Sequence, residues 1–383
     1  NYGLNCSNGA NFSLSGSTFS NNSRPINMYF SDVHKLGGGN SYMNNATQSI
    51  RCTGGGISVN TGFVRQQVPL NIISNVTVYD SDAPILTIPY GSVVEFSSGI
   101  GISFGSTSSS SLRGSLSATG VTFRGLEAVP GYWGGINFNQ FADNSLVSAC
   151  IIKDAGYNNA AAINVNCQSA NITGSTIYNC SAKGIYVNPG KLPQISGNVI
   201  FGCGSYPLSI GANSLRVLGQ NNYFSGNAYD LIELRAENVN TSGTWRNAGV
   251  PYLLTGNFSI YDSSLPHIKI LAGTVIRIPN LVGITVGSAS SPSLRGSLEA
   301  TGVVFTRSAG GEVPLGLIFN PYLNEGLSVL TNCTFEYLEH NSQYCAIYVN
   351  SSAPRFENCI FSSNSGHGIV ATSSARPIVN NCS

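Results

Sequence analysis

The stretch SLRGSLSATGVTF, residues 111–123, returns as SLRGSLEATGVVF at residues 293–305. The two copies agree at eleven of thirteen positions and are offset by 182 residues. NVTVYD from Asn75 and NFSIYD from Asn257 show the same offset. Self-similarity at a fixed distance is typical of repeat architectures. The sequence therefore predicts two tandem copies of one long repeat. Repeat A covers residues 1–182, repeat B covers 183–366, and a third copy begins at 367–383 without a linker.

A shorter period runs inside each long repeat. AINVNC at Ala162 and GIYVNP at Gly184 are variants of one line, as are AIYVNS at Ala346 and GIVATS at Gly368. The apolar runs are short and rich in Ile, Val, Thr, Tyr and Phe, which favours strands. A rung of roughly 22–25 residues with two or three brief strands is typical of a parallel β-helix. We therefore predict an all-β fold, a parallel β-helix (β-solenoid) of about sixteen rungs.

Cysteines recur in one line of the rung. Cys333 and Phe335 are two residues apart in a strand and should face the same side, which we take to be the lumen. Buried free thiols that pack as small hydrophobes are then expected. The predicted inward ladder is Cys333, Cys359 and Cys382, with Cys150, Thr176 and Val199 at the matching place in repeat A.

Two further cysteines, Cys180 and Cys203, end the lines IYNC and IFGC. Other rungs place Asn22, Asn227 and Asn364 at or next to this turn, where stacked amides are expected. Adjacent cysteines at such a turn lie close enough to bond. Two alternatives stay open, a disulfide between Cys180 and Cys203 or two reduced thiols.

Charged residues are scarce, at 9% of the chain, and the net charge is +1. This composition excludes a basic nucleic-acid surface, and no apolar run is long enough to insert into a membrane. The ten cysteines and twelve N-x-Ser/Thr triplets favour an extracellular or cell-surface location. Asn75 and Asn257 are the preferred glycosylation sites, because they occupy the same place in both repeats. The chain starts without Met or a signal peptide, so a mature or excised piece is expected.

Two other features of the repeats bear on function. Arg113 and Arg295 recur with their whole context, and we interpret them as structural residues that bind backbone carbonyls or a carboxylate at a corner. The segments after them, from 125 and from 308, vary most between the repeats and predict loops where binding surfaces develop. Tyr132, Trp133 and Tyr322 in these loops are the candidate contact residues.

The chain resembles the right-handed parallel β-helix surface proteins of the pectate-lyase-like superfamily. FSNN at Phe19, FSGN at Phe224 and FSSN at Phe361, with GGGI at Gly54, are similar to the F-x-x-N and G-G-x-I repeats of polymorphic outer-membrane-type proteins. The resemblance implies a right-handed surface solenoid used for adhesion, display or polymer building. Some members of the superfamily instead cleave polysaccharides.

Residues for catalysis are sparse. A glycosidase needs two carboxylates at one cleft, but the pair Asp80 and Asp82 becomes Asp262 and Ser264 in repeat B. SGHG around His367 lacks the acidic companions of pectin-type hydrolases. EYLEH, with Glu336, Glu339 and His340, lacks further metal ligands at usual spacing. We therefore expect no enzyme activity, no metal and no cofactor.

Asn1 and Ser383 both fall in the middle of a rung, so exposed strand edges and apolar lumen are expected at both ends. The prediction is a structural subunit or segment of an extracellular filament or surface stalk, with repeats that stack end to end. Its partner is then another copy or a longer array of the same repeat. The alternatives are a cell-surface adhesin or carbohydrate-binding β-helix, with glycans as partners, and thirdly a polysaccharide lyase or hydrolase.

Overall fold

The structure, a computed structural model, describes residues 1–308, 314–339 and 343–383. These residues form an all-β parallel β-solenoid of about 15 turns that is only 4% helical, which confirms the predicted fold class. The chain divides into two compact units. Unit 1 is Asn1–Leu208 with Asn221–Tyr229, and unit 2 is Ser209–Gln220 with Asp230–Ser383. The compact units thus divide within residues 208–230, whereas the sequence repeats were predicted to divide after residue 182.

The strands are short and follow one another through the whole chain. The first 25 are β1 (Tyr2–Asn5), β2 (Thr18–Ser20), β3 (Arg24–Tyr29), β4 (Ser41–Met43), β5 (Ile50–Thr53), β6 (Gly55–Ile57), β7 (Thr61–Gly62), β8 (Leu70–Ile72), β9 (Val76–Val78), β10 (Ile85–Ile88), β11 (Val93–Phe96), β12 (Gly101–Phe104), β13 (Ser115–Thr119), β14 (Thr122–Gly125), β15 (Gly135–Phe138), β16 (Ser145–Ser148), β17 (Ile151–Lys153), β18 (Ile163–Val165), β19 (Ala170–Thr173), β20 (Thr176–Cys180), β21 (Ile185–Val187), β22 (Gln194–Ser196), β23 (Val199–Cys203), β24 (Leu208–Gly211) and β25 (Tyr223–Ser225).

The remaining strands belong to unit 2. They are β26 (Ile232–Arg235), β27 (Gly243–Trp245), β28 (Tyr252–Leu254), β29 (Phe258–Ile260), β30 (His267–Ile270), β31 (Val275–Ile278), β32 (Gly283–Val286), β33 (Ser297–Thr301), β34 (Val304–Arg307), β35 (Gly316–Phe319), β36 (Val329–Thr331), β37 (Thr334–Glu336), β38 (Cys345–Asn350), β39 (Arg355–Glu357), β40 (Ile360–Ser362), β41 (His367–Thr372) and β42 (Ile378–Asn380). The described residues also contain short 3₁₀ helices at Phe30–Lys35, Tyr157–Asn159, Leu215–Val217 and Glu325–Leu327.

Three sheets form the sides of unit 1. Side A is β1-β3-β5-β8-β11-β14-β17-β20-β23-β25, side B is β7-β10-β13-β16-β19-β22, and side C runs from β6 through β9, β12, β15 and β18 to β21. The strands pair in parallel, each with its equivalent one rung away, so Ile163 of the line AINVNC lies opposite Ile185 of GIYVNP. The predicted rung period is therefore confirmed.

Unit 2 has three sides that correspond to those of unit 1 by the 182-residue offset. Its side A contains β26-β28-β31-β34-β37-β40, side B β27-β30-β33-β36-β39-β42, and side C β29-β32-β35-β38-β41. Ile347 of AIYVNS lies opposite Ile369 of GIVATS, as the sequence lines predicted.

A left-handed residue makes the corner between side B and side A. Positive φ is accessible mainly to Gly and Asn, and those residue types hold most of these corners. In unit 1 the corner residues are Gly120, Ala149, Gly174, Gly197 and Asn221, and in unit 2 they are Gly302, Asn332, Asn358 and Asn381. The corner backbone also joins the ladder, since the N–H of Ala149 donates to the carbonyl of Thr173 at 2.9 Å.

The residue after each corner points into the lumen. Cys333 and Cys359 are fully buried there, as predicted, whereas Cys382 in the last rung is half-buried. In unit 1 the inward positions belong to Cys150, Ser175 and Asn198 rather than to Thr176 and Val199. The prediction for Thr176 and Val199 is wrong by one residue. The residue directly after the left-handed corner faces the lumen, so Thr176 and Val199, which follow it, are the first residues of their strands and face outward.

Apolar side chains from all three sides fill the lumen and stack from rung to rung. The ring of Phe335 lies between those of Phe305 and Phe361, with centroids 5.1 Å apart on either side. Burying apolar area in this way stabilises the fold by about 25 cal/mol per Å². The same inward pattern in both units explains why the strand lines recur in the sequence.

The repeated stretch SLRGSL is a structural corner. In unit 1 the backbone of Arg113 bridges to Asp80, and in unit 2 that of Arg295 bridges to Asp262. Each Arg Nε donates to a backbone carbonyl at 3.1 Å, that of Ser110 or Pro292. This confirms the structural interpretation of the two arginines.

The glycine in this corner has no room for a side chain. A Cβ at Gly114 would lie 2.0 Å from the carbonyl oxygen of Val78, and one at Gly296 would lie 1.9 Å from that of Ile260. The close approach of two backbone segments therefore dictates glycine in both copies.

Candidate functional site

The predicted loop aromatics do not share one environment. Trp133 is fully buried, its ring stacks on Phe96 with centroids 4.3 Å apart, and its indole N–H donates to the Lys153 carbonyl at 2.7 Å. The prediction of an exposed contact at Trp133 is therefore wrong. Its backbone forms a parallel bridge with Ala155, which keeps the segment on the rung and turns the indole inward.

Tyr132 and Tyr322 are half-buried and stay candidates for contact. Burial, and then the nearby Glu127 carboxylate, raise the pKa of Tyr132, so its phenol is protonated at neutral pH.

The two preferred glycosylation sites have equivalent surroundings. Asn75 and Asn257 are both exposed. The side-chain oxygen of Asn75 accepts from the N–H of Gly101 at 2.9 Å, and that of Asn257 from the N–H of Gly283 at 2.7 Å. This leaves the amide nitrogen, the atom that carries a glycan, on the exposed side in each unit. Glycosylation itself stays a prediction.

Cys180 and Cys203 are register partners on β20 and β23, as expected from their turn position. Cys203 continues into the predicted amide stack, because its N–H donates to the Asn227 side chain at 3.1 Å. Both are buried and free, so the structure has the reduced pair rather than the disulfide. A hydrogen bond with Cys203, together with burial, raises the pKa of Cys180 well above the usual range. A protonated, buried thiol is chemically inert.

Side A of unit 1 carries a group of outward, mostly apolar side chains that we call the aromatic strip: Ile151, Lys153, Tyr178, Val199, Phe201 and Tyr223. Tyr178 and Phe201 stack face to face with centroids 4.9 Å apart and an interplanar angle of 2°. The Lys153 ammonium lies 5.7 Å from the Tyr178 ring centroid. Phe201 is 38% exposed and Tyr223 is 61% exposed. Flat exposed rings of this kind can stack on planar apolar faces of a ligand.

Side B of unit 1 carries a neutral cleft of about 600 Å³. Its floor is formed by outward side chains of three strands, among them Ile85, Thr87, Ser117 and Leu146. Arg113 lies at one end, with its guanidinium 4.0 Å from the Asp143 carboxylate. The cleft thus offers hydroxyl and apolar groups along its length and charge only at its edge.

Side B of unit 2 carries charges at the corresponding outward positions. We call His267, Lys269, Glu299, Arg355 and Glu357 the charged row. The Lys269 ammonium lies 2.6 Å from one oxygen of Glu299, and His267 Nε2 lies 3.2 Å from the other. Arg355 pairs with Glu357 at 2.5 Å. The hydrogen bond from Lys269 is the main cause that lowers the pKa of Glu299, and His267 adds to it.

The charged row contains an arrangement that superficially matches a hydrolase. His267 contacts the Ser297 hydroxyl at 2.9 Å with one ring nitrogen and Glu299 with the other. A nucleophile must reach its substrate, but Ser297 is fully buried. The arrangement therefore acts as a polar contact between neighbouring strands.

The other catalytic candidates also have structural partners. The Asp80 carboxylate accepts from the N–H and hydroxyl of Ser81, and the Asp262 carboxylate accepts from Ser263 and Ser264, so both order a turn. The backbone N–H of His367 donates to the Tyr344 carbonyl at 2.6 Å, which places His367 at the start of a ladder strand. His340 of EYLEH lies outside the described residues. Across residues 1–308, 314–339 and 343–383, no three His, Cys, Asp or Glu side chains group as metal ligands would.

Among the described residues, no helix has the length and apolar character needed to span a bilayer.

Part of the chain is similar to a known family. Residues 322–383 match the family model described as "Right handed beta helix region". The match falls within unit 2, and the same parallel ladder occupies the rest of the described chain in both units. The parallel β-helix is therefore the class of fold that both units share, and residues 322–383 are similar to its right-handed family. The similarity of the F-x-x-N and G-G-x-I motifs to polymorphic outer-membrane-type proteins stays a prediction. A comparison with curated proteins gives no match.

Proposed function

We propose that this chain is a non-catalytic structural solenoid of an extracellular filament or surface stalk, in which further rungs continue the ladder end to end. The observation that carries the proposal is the in-register parallel pairing of equivalent strands, which repeats from rung to rung in both units. The apolar lumen position continues into the last strand pair, where Val379 lies opposite the fully buried Phe356. A strand edge with an apolar lumen face is a template for a further rung.

The scarcity of charge supports this role. Only 9% of the residues are charged, so copies of the chain that stack end to end do not repel one another strongly. The register is set by stacked identical lines, such as Phe335 on Phe361, which a third equivalent line can extend. We infer an extracellular or cell-surface location from the same composition and from the exposed sequons at Asn75 and Asn257.

The test is association of the purified chain, followed by sedimentation velocity and negative-stain electron microscopy. We expect wild-type protein to form end-to-end species whose length grows with concentration. Val379→Asp places a charge in the lumen face of the last rung and should abolish them. Val199→Asp is the matched control, because Val199 is a 36% exposed valine on a lateral face. A wild type that stays monomeric at high concentration, or a Val199→Asp variant that dissociates equally, contradicts the end-to-end proposal.

Glycan binding is the second candidate function, and the aromatic strip favours it. Stacked Tyr178 and Phe201, with Tyr223 one rung further, offer ring faces to a sugar ring, and Lys153 supplies a hydrogen-bond donor. Glycan-array binding of wild type and of the double variant Phe201→Ala, Tyr223→Ala tests it. Loss of array signal in the variant with unchanged association supports a binding role, and an array without wild-type signal removes it.

A further inference from the structure

Side A of unit 2 carries a depression of about 460 Å³ whose lining includes Arg277, Thr306, Arg307, Glu336 and Tyr337. Arg277 is the register partner of Thr306, which is in turn the partner of Glu336. These three outward side chains therefore stand in one row across three rungs, about 4.8 Å apart at the backbone. Arg307 is the last residue of β34 and lies next to Thr306, at the side of this row.

Within the residues that the structure describes, neither arginine of this depression, Arg277 or Arg307, forms an ion pair with a carboxylate. The Arg307 guanidinium lies 5.1 Å from the centroid of the Tyr337 ring, a cation–π contact that fixes its position. Because a guanidinium carries five N–H donors, both side chains can still bind an oxyanion, in one or two parallel hydrogen bonds each.

Unit 1 shows how the same row is satisfied internally. By the 182-residue offset, Arg277 stands where unit 1 has Glu95, and Thr306 stands where it has Arg124. In unit 1 the Arg124 Nε donates to the nearly buried Glu95 carboxylate at 3.0 Å. Unit 2 has a cation in place of the carboxylate and a hydroxyl in place of the cation, so the internal pair is gone and the depression remains.

We propose that the depression binds one oxyanion, a carboxylate or a sulfate group, carried by a small hydroxylated ligand. Arg277 and Arg307 hold the oxyanion, and the Thr306 hydroxyl donates to it. Glu336, at the other end of the row, accepts hydrogen bonds from the ligand's hydroxyl groups and repels a second anionic group. A volume of this size suits a small molecule rather than a macromolecule.

The test uses the side-chain Nε–H resonances of arginine in the whole chain, titrated separately with sodium sulfate, sodium gluconate and sorbitol. We expect saturable shifts at Arg277 and Arg307 with sulfate or gluconate, and none with sorbitol, which has the hydroxyl groups without the carboxylate. The tighter of the two anions identifies the group that the site prefers. Linear shifts for both anions, or saturation with sorbitol, overturn the proposal.

Variants separate this site from general charge effects. Arg277→Gln and Arg307→Gln should each raise Kd about tenfold, since one charged hydrogen-bond donor is lost. Arg113→Gln is the control, because Arg113 already has Asp143 beside it, and it should leave Kd unchanged. An equal loss in all three variants contradicts a specific site.

Two further substitutions test the internal logic of the row. Thr306→Glu supplies a carboxylate beside Arg277, as Glu95 does beside Arg124, and should abolish binding while the melting temperature stays within a few degrees of wild type. Glu336→Gln removes the repelling charge and should tighten sulfate binding about threefold. Unchanged sulfate affinity in Thr306→Glu, or weaker binding in Glu336→Gln, overturns the assignment of these residues.

Discussion

Side B of unit 1 and side B of unit 2 contain corresponding strands with different outer surfaces. Inward, Leu116 and Leu298 are both buried, and the N–H of each donates to a buried serine hydroxyl, Ser145 or Ser328. Outward, unit 1 has the neutral cleft at the positions where unit 2 has the charged row. The difference teaches that packing in the lumen constrains the inward residues of each rung. The outward residues are free to diverge, and they determine what each unit can bind.

The largest expected effect tests whether the two lumens are equivalent. Leu116→Ala and Leu298→Ala should each lower the free energy of unfolding by about 3 kcal/mol, since each leaves a cavity in a layer that has the same neighbours. Urea unfolding followed by circular dichroism measures both, with Ser117→Ala on the outer face as the control. A difference above about 2 kcal/mol between the leucine variants would break the comparison.

The corner glycines come next. Gly114→Ala and Gly296→Ala should each cost about 2 kcal/mol, because the new methyl group meets a backbone carbonyl oxygen at 2.0 Å or less. Gly326→Ala is the control, since its added methyl group has no atom within 4 Å. The urea midpoint of the control should stay near wild type. Tolerance of alanine at either corner would show that the close approach is not required.

The charged row should make the stability of unit 2 depend on pH. The pKa of Glu299 is lower in the folded state than its ordinary value, so its ion pair stabilises the fold at neutral pH and this contribution is lost as pH falls below about 4.3. Wild type should lose at most about 1 kcal/mol more than Glu299→Gln between pH 5 and pH 3, after solvent screening. Unfolding midpoints across this range measure it, and identical acid profiles would contradict the stabilising role.

The smallest effect sharpens the comparison by transplanting charge. Thr87 and Ser117 are register partners in unit 1, as Lys269 and Glu299 are in unit 2. A double-mutant cycle with Thr87→Lys and Ser117→Glu should give a favourable coupling of about 0.5 kcal/mol, reduced in 1 M salt. Absence of coupling would mean that the pair in unit 2 needs His267 as well.

Much of the fold could be predicted from the sequence because a solenoid repeats its inward pattern every rung. Lines such as AINVNC and GIYVNP aligned directly onto paired strands. The inward face of the cysteine ladder could be predicted at Cys333 and Cys359 but not at Thr176 and Val199. Alternation by two holds within a strand, and the left-handed corner residue interrupts it between strands.

The outer surface was harder to predict, because the contacts of its side chains depend on residues one rung away, which are distant in the sequence. Trp133 was predicted as a loop contact residue, yet Phe96 stacks on one face of its indole and the Lys153 carbonyl accepts from its N–H. The charged row left a trace in the repeated stretch itself, since Ser117 becomes Glu299 there. Alternating charges in HIKI and RFE carried the same signal. The aromatic strip was visible in IYNC and IFGC, where an aromatic follows each buried isoleucine.

The direction of the ladder bonds has a mechanical consequence. Within each unit the backbone hydrogen bonds between rungs run along the stacking direction. A tensile force along that direction therefore acts on all rungs in series, and the rungs separate one at a time. A load across the sheets must instead shear several strands together. We therefore expect each unit to resist compression and loads across its sheets better than stretching along the stacking direction, where the covalent chain that winds from rung to rung finally limits extension.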